Sequence, residues 1–90
     1  MPGMTAASDM GPVDFSMHIV SLGSSAMVSM GKVPAPAGEE IAKDLHTARF
    51  LIDVLAMLQT KTKGNLTENE DALLQRLLHD LRVAFLDASK

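Results

Sequence analysis

The sequence predicts an all-α protein of three helices, in which helices two and three form an antiparallel hairpin and helix one packs on it. Segments containing proline or glycine divide the 90-residue chain into three stretches with helical periodicity. The chain has no cysteine, so disulfides cannot supplement a small core. The first two stretches carry more neutral and apolar surface than one short chain is expected to bury. Homo-oligomerisation is therefore predicted to complete the fold.

The composition of the chain predicts its division into a tail and one domain, and it argues against some classes of partner. Residues 1–13 mix Pro, Gly, Ser and Met without periodicity, which predicts a flexible tail, and residues 14–88 are predicted to form a single domain. The tail has no basic residue and no apolar run, so it is not predicted to be a signal peptide, and the cytoplasm is expected. A net charge of -3 with only three aromatic residues argues against binding to nucleic acid.

Helix one is predicted over about residues 15–30. Asp14 or Ser16 is a suitable N-cap, and Gly31 follows the last periodic residue. Gly23 lies in the middle of this helix, where glycine costs about 1 kcal/mol relative to alanine. Its presence predicts close approach of another helix backbone.

The polar side of helix one is uncharged, apart from His18 when protonated. Ser21, Ser25 and Ser29 recur at four-residue spacing on this side, opposite the apolar residues. Small side chains allow helices to approach closely, so this row is interpreted as a second contact surface. The alternative is that the serines are simply hydrated.

Helix two is predicted over about residues 41–63, after a proline-rich linker at 32–39 and before a left-handed C′ residue at Gly64. Apolar side chains cover about two-thirds of its circumference at about 100° per residue, so it is predicted to be central to the assembly. Its polar stripe is narrow and contains an expected Arg49 to Asp53 ion pair. The stripe consists of His46, Arg49, Asp53, Thr60 and Lys63.

Helix three is predicted over about residues 68–87. Thr67 and Glu70 have the spacing of a capping box, and the short connection from helix two predicts antiparallel packing. Arg76 and Asp80 are four residues apart and are expected to pair. One apolar stripe is predicted to be buried: Leu73, Leu74, Leu77, Leu78, Leu81, Ala84, Phe85 and Ala88.

The sequence contains no recognisable catalytic or metal-binding motif. His18, His46 and His79 fall one to a helix and lack the compact spacing of metal ligands, so they are interpreted as surface or interface residues. No nucleophile elbow, phosphate-binding loop or dinucleotide fingerprint is present. We therefore expect no enzyme activity, cofactor or metal.

The predicted function is that of a non-catalytic interaction or assembly module. Its predicted partner is itself, as a dimer, with another protein as a further candidate and neither nucleic acid nor a membrane span expected. The predicted oligomer interface is Ile19, Gly23, Ser25, Ala26, Met27, Met30, Leu51, Leu55 and Leu58. A second candidate surface for a partner is His46, Arg49 and Asp53. The alternative function is a regulatory protein that holds a metal or small molecule between subunits through histidine.

Several short runs of the chain resemble one bacterial family. They are Asp14-Phe15-Ser16, Val20-Ser21-Leu22-Gly23, Met30-Gly31-Lys32-Val33-Pro34, the run from Leu55 through Lys61-Thr62-Lys63-Gly64-Asn65-Leu66-Thr67, and Leu77-Leu78-His79-Asp80-Leu81-Arg82. Together they are similar to the family catalogued as domain of unknown function eighteen-forty-four. The resemblance implies a small bacterial helical protein of one domain, without an activity, cofactor or catalytic residue that transfers to this chain.

Overall fold

A computed structural model describes residues 13–34 and 43–90, and over these ranges the protein is all-α. Its helices are α1 (Phe15–Ser29), α2 (Leu45–Lys61) and α3 (Glu68–Ala88). The three-helix fold class is therefore confirmed. The predicted tail, except Val13, and most of the predicted proline-rich linker lie outside the described residues.

The boundaries of α1 follow from local hydrogen bonds. Asp14 is the N-cap, and its Oδ1 accepts from the Ser16 backbone N–H at 3.3 Å. Met30 caps the other end, and Gly31 follows in the left-handed region at φ 77°. Of the two caps considered from sequence, the structure selects Asp14, whose backbone is extended and whose carboxylate accepts from the first turn, whereas Ser16 lies within the helix.

Helix α2 is shorter than the predicted 41–63. It begins at Leu45 because Asp44 is an N-cap, with its carboxylate accepting from the Thr47 backbone N–H at 3.1 Å and from Thr47 Oγ1 at 2.7 Å. The hydrogen bond from the Thr47 side chain is also the largest cause that lowers the pKa of Asp44. The helix ends at Lys61, and Gly64 lies two residues past the cap at φ 88°.

Helix α3 begins at the predicted residue and ends one residue later than predicted. The capping box is formed: the Glu70 backbone N–H donates to Thr67 Oγ1 at 3.1 Å, and the Thr67 N–H donates to Glu70 Oε1 at 2.8 Å. The expected Arg76 to Asp80 ion pair is present at 3.8 Å between exposed side chains. The capping box and this ion pair both form as predicted from their spacing in the sequence.

Each helix packs against the other two, and hydrogen bonds connect the helix ends at one end of the bundle. The Asp44 N–H donates to the Ser29 carbonyl at 2.7 Å, and Lys43 Nζ donates to the Ala88 carbonyl at 2.9 Å. At this end of the bundle, α2 therefore starts where α1 and α3 end.

The core is apolar, and no polar or charged side chain is buried among the described residues. Its members are Ile19, Ala26, Met30, Ala48, Ile52, Leu55, Leu74, Leu78, Leu81 and Ala88. The stripe predicted for α3 is buried or half-buried throughout. Gly23 is buried where α1 meets Leu77 of α3. The neighbour at Gly23 is thus the side chain of Leu77 within the same chain, where the sequence predicted the backbone of another helix.

Candidate interaction surface

The largest apolar side chain left exposed on α2 is Phe50, at 65% of its maximal exposure, and Met57 on the same helix is 47% exposed. At about 100° per residue, both fall within about 60° of Asp53 around the helix axis. His46 and Arg49 lie in the same arc, and all three polar residues are exposed. We call this surface the α2 outer face: His46, Arg49, Phe50, Asp53 and Met57.

A groove borders the α2 outer face, where α2 meets α3. It has a volume of about 340 Å³ and is lined by Arg49, Ile52, Asp53, Arg82, Phe85 and Leu86. Ile52 and Phe85 belong to the core and its half-buried margin, whereas Leu86 is 68% exposed. The groove is therefore lined by both apolar and charged residues.

The charged residues of this region form no ion pair among the described residues. The ion pairs in the described part of the chain join Lys32 to Asp87 and Arg76 to Asp80, and neither involves Arg49, Asp53 or Arg82. The expected Arg49 to Asp53 pair is thus not formed. An exposed pair at this spacing is worth only about 0.3–0.5 kcal/mol, which does not fix two side chains in one geometry.

The structure places most of the predicted oligomer interface inside the single chain. Ile19, Gly23, Ala26, Met30 and Leu55 are buried. Met27, Leu51 and Leu58 are half-buried and pack against the core. A buried side chain offers no surface to a second copy. The five buried residues of the predicted interface therefore belong to the interior of the single chain. The members of the predicted set that keep accessible surface are Ser25, Met27, Leu51 and Leu58.

Ser25 is the one fully exposed member of that predicted set. Ser21 and His18 are exposed beside it, and Ser29 is half-buried near the end of α1. The serine row therefore faces outward from the three-helix core. That position is compatible with hydration and with contact alike.

The second predicted surface is accessible in full. His46, Arg49 and Asp53 are all exposed and all lie on α2. The sequence does not single out Phe50 and Met57, because they belong to the apolar two-thirds of the α2 circumference. Sequence reasoning also missed Arg82, Phe85 and Leu86, which belong to another helix and become neighbours of α2 only through the packing of α2 on α3.

A larger cleft of about 590 Å³ lies beside the turn between α2 and α3. Some of its polar groups bond to each other or to the backbone, since Gln75 Nε2 donates to Asp71 Oδ2 at 2.8 Å and Thr67 belongs to the capping box. Lys63 and Gln59 line the remainder. The hydrogen bonds beside this cleft therefore stabilise the start of α3.

The titratable groups of the described residues lie at the surface. His18, His46 and His79 are each exposed, and within 13–34 and 43–90 no three His, Asp or Glu side chains are grouped so that they could hold a metal. Asp87, like Asp44, has a lowered pKa. The hydrogen bond and charge of Lys32 lower the pKa of Asp87. Both shifts have structural causes at helix ends.

The helices that the structure describes are too short or too polar for any of them to span a bilayer. Fold and surface thus define a small three-helix protein with an apolar core and an accessible face that combines apolar and oppositely charged residues. The chain belongs to the family described as Domain of unknown function (DUF1844), whose model matches residues 12–87. The family resembled by the sequence motifs is therefore confirmed. Neither the curated proteins nor the solved structures include a match to this chain.

Proposed function

We propose that this protein is a non-catalytic interaction module of a bacterial cytoplasm that assembles with itself through the α2 outer face. The observation that supports the proposal is the exposure of Phe50 and Met57 next to charged side chains that have no ion-pair partner in the described part of the chain. Aromatic residues, methionine and arginine are enriched in protein interfaces. A face of this composition on a rigid helix suits protein binding.

The distribution of titratable groups also favours a non-catalytic role. Catalytic acids and bases usually have perturbed pKa values inside a concave site. Here the two lowered pKa values, those of Asp44 and Asp87, come from helix capping and from the Lys32 ion pair. Each of these carboxylates has a structural role that accounts for its pKa.

The α2 outer face is a better working surface than the serine row of α1. Burial of apolar area is the main favourable contribution to most protein association. Serine side chains at Ser21 and Ser25 contribute little such area, whereas Phe50 is large and mostly exposed. Exposed Met17 and Val20 also lie on α1, but no charged residue of α1 accompanies them to set specificity.

The test is sedimentation velocity over a concentration series of the wild type and two single variants. Phe50→Glu introduces a charge into the α2 outer face, and Met17→Glu introduces the same charge at a similarly exposed position, 69%, on α1. We expect self-association in the wild type and in Met17→Glu, and its loss in Phe50→Glu. A wild type that stays monomeric, or equal weakening in both variants, would contradict the proposal.

A further inference from the structure

We infer that the second copy docks across a twofold axis that places Arg49 of each chain opposite Asp53 of the other. This inference rests on the proposed function, because it specifies the partner and the pairing at the same surface. The starting observation is that Arg49 and Asp53 are exposed, opposite in charge and not paired with each other. An ion pair between copies gives each of them a partner.

Helix geometry allows this pairing. Residues four apart on a helix are separated by about 6 Å along the axis and about 40° around it, so Arg49 and Asp53 lie on one side of α2. In a twofold pair of antiparallel helices, residues equally far before and after the centre oppose each other. A crossing centred near Leu51 therefore sets Arg49 against Asp53 twice.

The charge balance of the face favours a second copy over a partner of one charge sign. The chain has a net charge of -3, so two copies repel at long range. Arg49 and Asp53 together are neutral, and the twofold arrangement converts them into two attractive contacts. A strongly acidic or strongly basic partner satisfies only one of the two residues and meets the other with like charge.

The apolar residues fit the same crossing. With the centre near Leu51, the two Phe50 side chains start about 3 Å apart along the helix axes and can pack on each other. Leu86 is exposed and lines the α2/α3 groove together with Arg49, so it adds apolar surface beside the crossing. One helix face per copy buries less than about 1,200 Å² in total, which is typical of weak, reversible association.

The test uses charge reversal at the two positions, followed by sedimentation equilibrium at micromolar concentrations. Arg49→Asp and Asp53→Arg each place like charges opposite each other twice, so each variant alone is expected to weaken dimerisation on the order of tenfold or more. An equimolar mixture of the two variants restores opposite charges at both contacts. We expect the mixture to form a heterodimer, and the double variant Arg49→Asp/Asp53→Arg to form a homodimer again.

The matched controls are Arg76→Asp and Asp80→Arg, which reverse an exposed pair of the same spacing on α3. They are expected to leave the dimer unchanged. Circular dichroism of every variant checks that the helices are retained. Dimers that persist in both single reversals, or single variants whose mixture stays monomeric, overturn the reciprocal pairing.

The same measurements separate this inference from the proposed function. If the single reversals still dimerise while Phe50→Glu does not, self-association through the α2 outer face stands and the Arg49 to Asp53 pairing is wrong. If the wild type is monomeric at every concentration, both are wrong. Recovery in the mixture supports both.

Discussion

A Cβ atom placed on Gly23 would lie 2.7 Å from Cδ1 of Leu77. The backbone of α1 therefore lies close against the Leu77 side chain of α3, and a methyl group at residue 23 would displace the flexible end of that side chain. The contact joins two helices that are far apart in the sequence. It fixes the position of α1, the helix whose neutral composition first suggested an external partner.

Replacement of Gly23 tests this packing. Gly23→Leu is expected to lower the free energy of unfolding by at least the roughly 1–3 kcal/mol typical of overpacking. Gly23→Ala requires only a shift of the flexible end of Leu77, and alanine favours the helix by about 1 kcal/mol, so a change within about 1 kcal/mol is expected. Urea denaturation measures both changes, with Ser24→Leu, at an exposed position of α1, as the control.

A double substitution separates the contact from helix propensity. In a Leu77→Ala background the clash at residue 23 is removed, so Gly23→Ala should stabilise the protein by about 0.5–1 kcal/mol. If Gly23→Ala has the same effect in both backgrounds, Leu77 is not the neighbour that constrains this position.

The fold was largely predictable from local signals. The capping box of Thr67 and Glu70, the left-handed Gly64 and the apolar stripe of α3 act within a few residues, so the sequence was sufficient to place them. The start of α2 was predicted four residues too early. The residues just before Asp44 also suit a helix, and the hydrogen bonds from Thr47 to Asp44 show where the helix begins.

The candidate surface was only partly predictable, because exposure depends on how the helices pack. Arg49 and Asp53 were identified from their place in a narrow polar stripe. Phe50 lies at the margin of that stripe, and its exposure depends on where α1 and α3 contact α2. Arg82 and Leu86 come next to α2 only in the folded chain. The periodicity of a single helix does not show which residues of another helix will lie beside it.

Loss of the capping box should destabilise the protein without changing its assembly. Thr67→Ala removes the acceptor for the Glu70 backbone N–H, and removal of such a cap costs about 1 kcal/mol. Thermal denaturation should show a lower Tm in Thr67→Ala and a smaller decrease in Thr67→Ser, which keeps the hydroxyl. Equal Tm values for the alanine and serine variants would contradict the role assigned to this side chain.

The ion pair between Lys32 and Asp87 should make stability depend on acid pH. Because Lys32 lowers the pKa of Asp87 in the folded protein, the pair contributes stability above the ordinary aspartate pKa of about 4, and this contribution is lost as the pH falls through the lowered value. Tm measured from pH 6 to pH 2.5 should decrease less in Asp87→Asn than in the wild type. Lys32→Met should have the same effect, and the double variant should add nothing further.

Core and surface apolar residues of α2 should respond differently to truncation. Leu55 is fully buried, so Leu55→Ala is expected to cost about 2–5 kcal/mol of stability. Phe50→Ala, measured at a concentration where the chain is monomeric, should change stability by less than about 0.5 kcal/mol. A large intrinsic loss from Phe50→Ala would show that this ring supports the fold of the single chain.

The most direct test of the α2 outer face is a dilution series of isotope-labelled protein followed by NMR, from millimolar to low micromolar concentration. As the 9.6 kDa chain dissociates, the account predicts concentration-dependent chemical shifts for Arg49, Phe50, Asp53 and Met57. Ser21 and Ser25 should keep their shifts. Shifts confined to the serine row of α1, or spectra that do not change with concentration, would contradict assembly through α2.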